Sequence, residues 1–391
     1  MRILSGVQPT GNLHLGNYLG AIKRFVPLSQ TQECYFCVVD LHAITVRQDP
    51  RDLLANTRMV AAAYMAAGID PHRSAIFVQS QNSHHAELGW ILQCIARVGW
   101  LDRMTQFREK TGTGPNEELN DAADKLADFL YPQRETLLDR FMKTPIGSYA
   151  ELESSLRLIL DTLQERRSHK EKASVGLYTY PVLQAADILL YQATHVPVGD
   201  DQKQHLNLAA DIAQKFNHGH QHFDNRHPDK PFTIPQPLLA ETGARVMNLR
   251  DGLSKMSKSD EDDNSRINLL DDADTIARKI KKATAHTNPV PDSVKELDTM
   301  PTVRNLVEIM AATRDITVQD VLDEFEGANY GTFKPALTEV LVDHLRPIRE
   351  AMTSLLADTM SIDMALTAGL SKSRAASGVT MARVRESVGL L

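Results

Sequence analysis

The chain has 391 residues, of which 42% are hydrophobic and 24% are charged, and its formal net charge is −7. This length predicts two or three domains, and the acidic balance argues against a generally basic nucleic-acid-binding protein, although a local basic face would suffice for RNA. No apolar stretch approaches the length of a membrane span, and residues 1–2 lead directly into a strand-like run, not a secretion signal. We therefore expect a cytoplasmic protein without a membrane partner.

The first predicted element is a short strand, Ile3-Leu4, which a polar turn connects to a helix. The helix is predicted because apolar residues recur on one face, at Tyr18, Leu19, Ile22, Phe25 and Val26. A strand, a glycine-bearing turn and a helix start favour phosphate binding through exposed N–H groups and the helix dipole. His14 and Asn17 in this turn can donate hydrogen bonds, and Gly16 allows a flat ligand to approach the backbone closely.

Strand-like and helix-like segments then alternate as far as residue 270. Strands are predicted at Tyr35 to Asp40, Ala75 to Gln79 and His195 to Val198, and helices at Asp52 to Ala67 and Glu87 to Val98. This alternation is typical of a Rossmann-like α/β fold, in which a doubly wound parallel sheet carries helices on both faces. We expect residues 1–270 to form this domain and to bind ligands at the carboxyl ends of the strands.

The alternation stops between about residues 111 and 169. The run from Thr111 to Pro115 breaks the regular structure, and the apolar spacing that follows indicates two or three helices. We interpret this stretch as a helical insertion. Structural support, a dimer contact, and a grip on tRNA or nucleotide are alternative roles for it.

A later helical segment, Tyr180 to Tyr191, is apolar apart from two polar positions, Gln184 and Asp187. Both share one helix face with the two tyrosines, because the four residues are three or four positions apart. A carboxylate here is costly to bury without a hydrogen-bond donor. The donor is either another group of the protein or a ligand group such as an indole N–H, which can only donate.

The run Lys255-Met256-Ser257-Lys258-Ser259 lies among glycine, aspartate and other charged residues, which is typical of an exposed loop. Its two ammonium groups could close over a polyphosphate, and a solvated lysine loop is the alternative. After residue 270 only helical patterns follow, which predicts a helical C-terminal domain at 271–391. Two basic clusters there, one at 278–282 and one formed by Lys372, Arg374, Arg383 and Arg385, are candidate RNA contacts or solvated helix faces.

Together, His14-Leu15-Gly16-Asn17 and residues 255–259 resemble the HIGH and KMSKS signatures of class I aminoacyl-tRNA synthetases, with Asn17 in place of the second histidine. Six further segments resemble the tryptophanyl-tRNA synthetase family: Ser5 to Gly20, Asp40 to Val46, Met104 to Phe107, Tyr180 to Tyr191, Val196 to His205 and Gly243 to Met247. The resemblance covers nearly the whole chain except the insertion, which the family usually replaces by a shorter loop.

The resemblance implies a two-step ligase reaction. Tryptophan is activated with ATP and Mg²⁺ to tryptophanyl-adenylate and pyrophosphate, and is then transferred to the 3′-terminal ribose of tRNA(Trp). The helical C-terminal domain would contact the anticodon, and the enzyme would be a homodimer.

The resemblance also assigns roles to residues at matching positions. Lys110, Lys255 and Lys258 would hold the phosphates during catalysis. ATP would be bound by Gln8, Pro9, Thr10, His14, Gly16, Asn17, Gly199, Asp200, Asp201, Val246, Lys255, Met256, Ser257, Lys258 and Ser259. Tryptophan would be bound by Leu4, Val39, His42, Tyr180, Gln184, Asp187 and Gln202. Gln184 and Leu4 depart from the commonest bacterial pattern, in which methionine and an aromatic residue occur.

Three other functions are compatible with parts of this pattern. A tyrosyl-tRNA synthetase shares the architecture but needs a different polar pairing for a phenol hydroxyl, which both donates and accepts. A nucleotidyltransferase with a similar first signature would not explain residues 255–259. A non-catalytic tRNA-binding relative would not require the intact lysines and Asp187.

Overall fold

The computed structural model describes residues 1–105, 107, 153–154, 156–160, 162, 173–199, 202–219, 230–238, 245–258, 260–286 and 289–390. Lys110, Asp200, Asp201, Ser259 and most of the predicted insertion lie outside the described residues. The chain forms two compact units, one made of Met1–Ile95 with Val182–Leu391 and the other of Ala96–Pro181.

The first unit contains a parallel five-stranded sheet. Its strands are β1 (Arg2–Val7), β2 (Glu33–Val38), β3 (Ala75–Val78), β4 (His195–Pro197) and β5 (Gln236–Leu238), in the order β3-β2-β1-β4-β5. The predicted α/β fold and its four predicted strands are therefore confirmed. The fifth strand was not predicted, because it has three residues and includes a proline, which is unusual in strands.

The strand order defines where a ligand can approach. In the sheet, Ile3 of β1 pairs with Cys34 of β2 on one side and with His195 of β4 on the other. The chain therefore leaves β1 towards β2 and β3 and later crosses to β4 and β5 on the opposite side. Loops diverge at such a switch point and open a crevice at the carboxyl ends of the strands, and the segment after Val7 lies there.

The helices of the described residues are numbered in chain order. They are α1 (Leu15–Asn17), α2 (Lys23–Thr31), α3 (Asp40–Ala43), α4 (Pro50–Ala66), α5 (His84–Gln93), α6 (Val98–Leu101), α7 (Val175–Leu190), α8 (Lys203–Gly219), α9 (Ala273–Lys282), α10 (Val294–Leu297), α11 (Pro301–Arg314), α12 (Val318–Phe325), α13 (Tyr330–Ala357) and α14 (Met360–Val388). The helix predicted at 52–67 is confirmed as α4. The helix predicted at 87–98 corresponds to α5, which begins at His84 and ends at Gln93, so the prediction of a further helical turn after Gln93 was wrong.

The helix after the first turn is continuous but irregular. A π-helical segment, Tyr18–Ile22, connects α1 to α2, so helical backbone runs from residue 15 to residue 31. The predicted apolar face is confirmed, since Tyr18, Leu19, Ile22 and Phe25 are buried. A π-helical turn re-aims the residues beside it and often occurs near functional sites.

The helical prediction for the C-terminal part is confirmed by α9 to α14. Ile276, Ile280, Leu341 and Leu345 are buried, and they belong to the same hydrophobic core as Ile3 and Phe36 of the sheet. A separate domain at 271–391 stays a prediction. No helix among the described residues is long and apolar enough to cross a membrane.

The last helix, α14, packs directly against β3. Gly369 makes this close approach possible, because a Cβ built at this position would lie only 1.9 Å from the carbonyl oxygen of Ile76. Basic residues of α14 fasten its flanks, where the Lys372 Nζ donates to the carbonyl of His72 at 2.6 Å and Arg385 pairs with Glu87 at 2.6 Å. These two members of the predicted basic cluster therefore bind the protein itself.

We expect Gly369→Ala to destabilise the fold by about 2 kcal/mol or more, because β3 and α14 must separate to admit a methyl group. Gly378→Ala on the same helix is the matched control, since its Cβ would meet its nearest neighbour at 3.9 Å; alanine there should stabilise by about 0.5–1 kcal/mol. Urea unfolding followed by circular dichroism measures both. Equal midpoints for the two variants would contradict the close contact.

Candidate active site

The first signature lies at the switch point, immediately after β1. Its backbone is capped by Asn17, whose Oδ1 accepts from the backbone N–H of His14 at 3.2 Å. The residue that replaces the second histidine therefore shapes the turn. Gly16 lies against the imidazole, since a Cβ there would be 3.1 Å from two ring atoms of His14 and 3.5 Å from the Cβ of Val246.

The segment that follows the second signature pairs with this turn. The N–H of Leu15 donates to the carbonyl of Ile267 at 2.8 Å, and the N–H of Leu269 donates to the carbonyl of Leu13 at 2.9 Å. His14 and Asn268 form an antiparallel bridge between these two bonds. Farther out, Lys258 Nζ donates to the carbonyl of Gln8 at 3.3 Å. The two signatures, about 240 residues apart in sequence, therefore occupy one place.

The lysine loop, which contains Lys255 and Lys258, is anchored through its backbone. Met256 is buried, and its N–H donates to the carbonyl of Val246 at 3.1 Å. The buried Asn305 of α11 accepts from the N–H of Met247 at 2.8 Å and donates to its carbonyl at 2.9 Å. Anchoring the backbone leaves the loop's lysines on the side of the first signature. Sequence reasoning missed Asn305, which has no local signal.

Lys279 of α9 braces the same region. Its Nζ lies 2.7 Å from Asp263 Oδ2 and 2.7 Å from Asp271 Oδ2, and the side chain is fully buried. The interpretation of Lys279 as part of an RNA-binding or solvated basic face is therefore wrong. Its charge is compensated by two aspartates that flank the segment paired with His14.

The phosphate end of the site is electropositive. Burial, together with the charges of Lys258, Arg266 and Lys255, lowers the pKa of His14 to about 3, so its imidazole is neutral near pH 7. The Nδ1 atom of His14 is buried without a hydrogen-bond partner among the described residues. Burial also lowers the pKa of Lys258 to about 8. Cations held together in this way favour an anionic ligand, which would relieve their repulsion.

A second polar cluster surrounds Asp187, which is buried in α7. Its Oδ2 accepts from His42 Nε2 at 2.8 Å, and its Oδ1 accepts from Gln79 Nε2 at 2.7 Å and from His85 Nδ1 at 2.6 Å. Burial alone would raise the pKa of the carboxyl, but the hydrogen bonds from His42 and His85 lower it to about 2. Asp187 is therefore ionised near neutral pH.

The expectation that a buried carboxylate at 187 needs donors is confirmed, and the protein supplies three of them. Among the described residues, Oδ1 takes two donors and Oδ2 takes one. Since each carboxylate oxygen offers about two acceptor positions, Oδ2 keeps one position for a ligand N–H. Sequence reasoning missed Gln79 and His85; only the position of Gln79 directly after β3 gave a signal.

Other predicted residues follow the strands of the sheet. Pro9 and Thr10 come after β1, Val39 follows β2, and Gly199 comes after β4. Leu4 is buried within β1, and Gln184 Nε2 donates to Gln202 Oε1 at 3.4 Å. Ser257 and Lys255 belong to the lysine loop, and Tyr180 is buried in the second unit.

The site thus combines a neutral histidine and lysines at one part of the sheet edge with a buried carboxylate at another. A model of the family described as tRNA synthetases class I (W and Y) matches residues 1–135 and 151–346 of the chain. The chain belongs to this family and is an aminoacyl-tRNA synthetase. The matched residues leave out 136–150, which lie within the predicted insertion, and 347–391 at the C-terminus.

Three individual proteins are similar to this chain over nearly its whole length. A tryptophan–tRNA ligase of Caulobacter vibrioides is 48% identical over 388 residues, which cover 99% of this chain and 95% of that protein. The structure of tryptophanyl-tRNA synthetase from Mycoplasma pneumoniae is 29% identical with a TM-score of 0.76, covering 100% and 98% of the two chains. That from Campylobacter jejuni, complexed with ADP and tryptophan, is 27% identical with a TM-score of 0.70, covering both chains completely.

The lowered pKa of Lys258 predicts a pH-dependent affinity for ATP. Below pH 8 the ammonium is present, and above it the charge is lost unless a phosphate holds the proton. We expect ATP affinity to fall about tenfold between pH 7.5 and pH 9, a range in which phosphate groups themselves do not titrate. Isothermal titration calorimetry measures this fall, together with proton uptake on binding.

Lys258→Arg is the control, because a guanidinium keeps its charge throughout this range. Its ATP affinity should change less than twofold between the two pH values. The same tenfold fall in this variant would assign the titration to another group.

Proposed function

We propose that this chain is a tryptophan–tRNA ligase. It activates tryptophan with ATP to tryptophanyl-adenylate and pyrophosphate, and then transfers the amino acid to the 3′-terminal ribose of tRNA(Trp). The proposal rests on the joint position of the two signatures, with Lys258 beside Gln8, in the same unit as the buried carboxylate of Asp187. The named relatives support the same amino acid.

The first step needs no nucleophile from the protein, because the carboxylate of tryptophan attacks the α-phosphorus. Catalysis then consists of positioning the reactants and stabilising the negative charge that develops on the leaving pyrophosphate. Lys258 and Lys255 carry the positive charge that stabilises the leaving pyrophosphate, and we propose the same role for Lys110. The neutral His14 can donate one hydrogen bond to a phosphate oxygen without adding to the charge of the lysines.

ATP is proposed to enter with Mg²⁺, which neutralises phosphate charge when bound. Its usual ligands in such sites are phosphate and water oxygens with one or two carboxylates. The lysines and neutral imidazole of this site fit the phosphates, not the cation. A homodimer, an anticodon contact in the C-terminal helices and a cytoplasmic location complete the proposal.

Specificity is assigned to Asp187, with the indole N–H donating to its Oδ2. Val39, His42, Gln184 and Gln202 are proposed to form the rest of the amino-acid pocket in this unit, and a tryptophan-binding role of Tyr180 stays a prediction. A tyrosyl-tRNA synthetase is less favoured, because a phenol hydroxyl both donates and accepts, whereas the ionised Asp187 can only accept. An ionised acceptor matches a group that can only donate.

ATP–pyrophosphate exchange with each of the twenty amino acids tests the function directly. The wild type should exchange with tryptophan and much more slowly with tyrosine or phenylalanine, because a site built for an N–H rejects analogues without it by roughly 10⁴-fold. Asp187→Ala should lose this preference while circular dichroism shows a folded protein. Exchange dependent on tyrosine, or no exchange at all, would refute the proposal.

A further inference from the structure

A chain of buried hydrogen bonds connects Asp187 to the last helix. His85 Nδ1 lies 2.6 Å from Asp187 Oδ1, and His85 Nε2 lies 2.7 Å from the hydroxyl of Tyr191. That hydroxyl lies 2.7 Å from Ser373 Oγ in α14. His85, Tyr191 and Ser373 are all fully buried, so these bonds are shielded from competition with water.

One assignment of hydrogens satisfies every bond in this chain. Burial keeps the pKa of Tyr191 well above its usual value, so the hydroxyl retains its proton. Ser373 accepts from Asn82 Nδ2 at 2.8 Å and donates to the Tyr191 oxygen, and Tyr191 donates to His85 Nε2. The Nδ1–H of His85 then donates to the Asp187 carboxylate, which can only accept. All donors therefore point towards the carboxylate.

The Ser373 end of this series of hydrogen bonds is held in place by neighbouring residues. Asn82 is buried and donates to Ser373 and, at 3.0 Å, to Ser377 one turn along α14. Gly369 lies against the backbone of Ile76, one turn in the other direction. The hydroxyl of Ser373 consequently has little freedom to move relative to the sheet.

We propose that Tyr191 and Ser373 are positioning residues for the specificity carboxylate, so that the C-terminal helix takes part in tryptophan selection. The inference rests on the proposed function. Without the Tyr191 hydroxyl, His85 Nε2 is a buried acceptor without its donor, and the imidazole loses the tautomer and orientation that direct Nδ1–H to Asp187. The remaining acceptor position of Oδ2, proposed for the indole N–H, then loses its fixed direction.

Tyr191→Phe tests the proposal, because it removes the hydroxyl and keeps the ring that stacks on Tyr35 at 4.7 Å. In pyrophosphate exchange, we expect the KM for tryptophan to rise about tenfold, with kcat and the KM for ATP within twofold of the wild type. The preference for tryptophan over its benzothiophene analogue, in which sulfur replaces the N–H, should fall about tenfold. A merely structural role would not change this preference.

Tyr64→Phe is the matched control, since Tyr64 is equally buried but lies outside the chain of hydrogen bonds. It should keep the wild-type preference. Ser373→Ala tests the far end, and Thr380→Val is its control because the buried Thr380 of α14 bonds to Gln192 instead. If Tyr191→Phe does not fold, Ser373→Ala and its control Thr380→Val test the proposal instead.

A preference within twofold of the wild type in folded Tyr191→Phe, or in Ser373→Ala if the first variant does not fold, would overturn the inference. The same result would leave the proposed function intact, provided that the wild type exchanges with tryptophan. A wild type that does not exchange with tryptophan would refute the proposed function itself. The two failures are therefore distinguishable.

Discussion

Two backbone hydrogen bonds, from Leu15 to Ile267 and from Leu269 to Leu13, connect the first signature of this synthetase to the segment that follows the second. In the proposed function, the first signature provides the turn that receives ATP and the second provides the cations for its phosphates. The pairing places Lys258 over the start of the turn. Lys279 stabilises this pairing, because its buried charge is balanced by Asp263 and Asp271, which flank the paired segment. Removing one partner of such a buried group is strongly destabilising, which makes this brace a constraint on the whole site.

The electrostatics of the unit are divided along the edge of the sheet. Near β1, burial and neighbouring cations keep His14 neutral, and burial lowers the pKa of Lys258, so this part of the site favours an anion. Near α7, three donors hold Asp187 as an anion that suits a ligand N–H. In the proposed function, one end serves the reaction common to all amino acids, and the other discriminates among them.

The sequence was sufficient for much of the fold and for the kind of site. Apolar runs identified four of the strands, since a buried parallel strand has few polar residues. They could not reveal Gln236–Leu238, which is held by its pairing with β4 and not by its own composition. The signatures were recognisable because their residues are close together in sequence.

Contacts between distant residues were not predictable in this way. Gln79 and His85 meet Asp187 only after β3, α5 and α7 have packed, so no local pattern marks them as its partners. For the same reason Lys279 was mistaken for a surface lysine: its aspartates lie 8 and 16 residues earlier, outside its own helix. The sequence shows that burying a charged side chain would cost free energy, but only the folded structure shows which residues compensate its charge.

The central claim is that the lysine loop drives the reaction while Asp187 selects the amino acid. Pyrophosphate exchange by Lys258→Ala, measured with tryptophan and with phenylalanine, tests it most directly. We expect the rate with tryptophan to fall about 10²-fold or more, while the ratio of kcat/KM for the two amino acids stays within about threefold of the wild type. A rate within twofold of the wild type, or a lost preference for tryptophan, would contradict it.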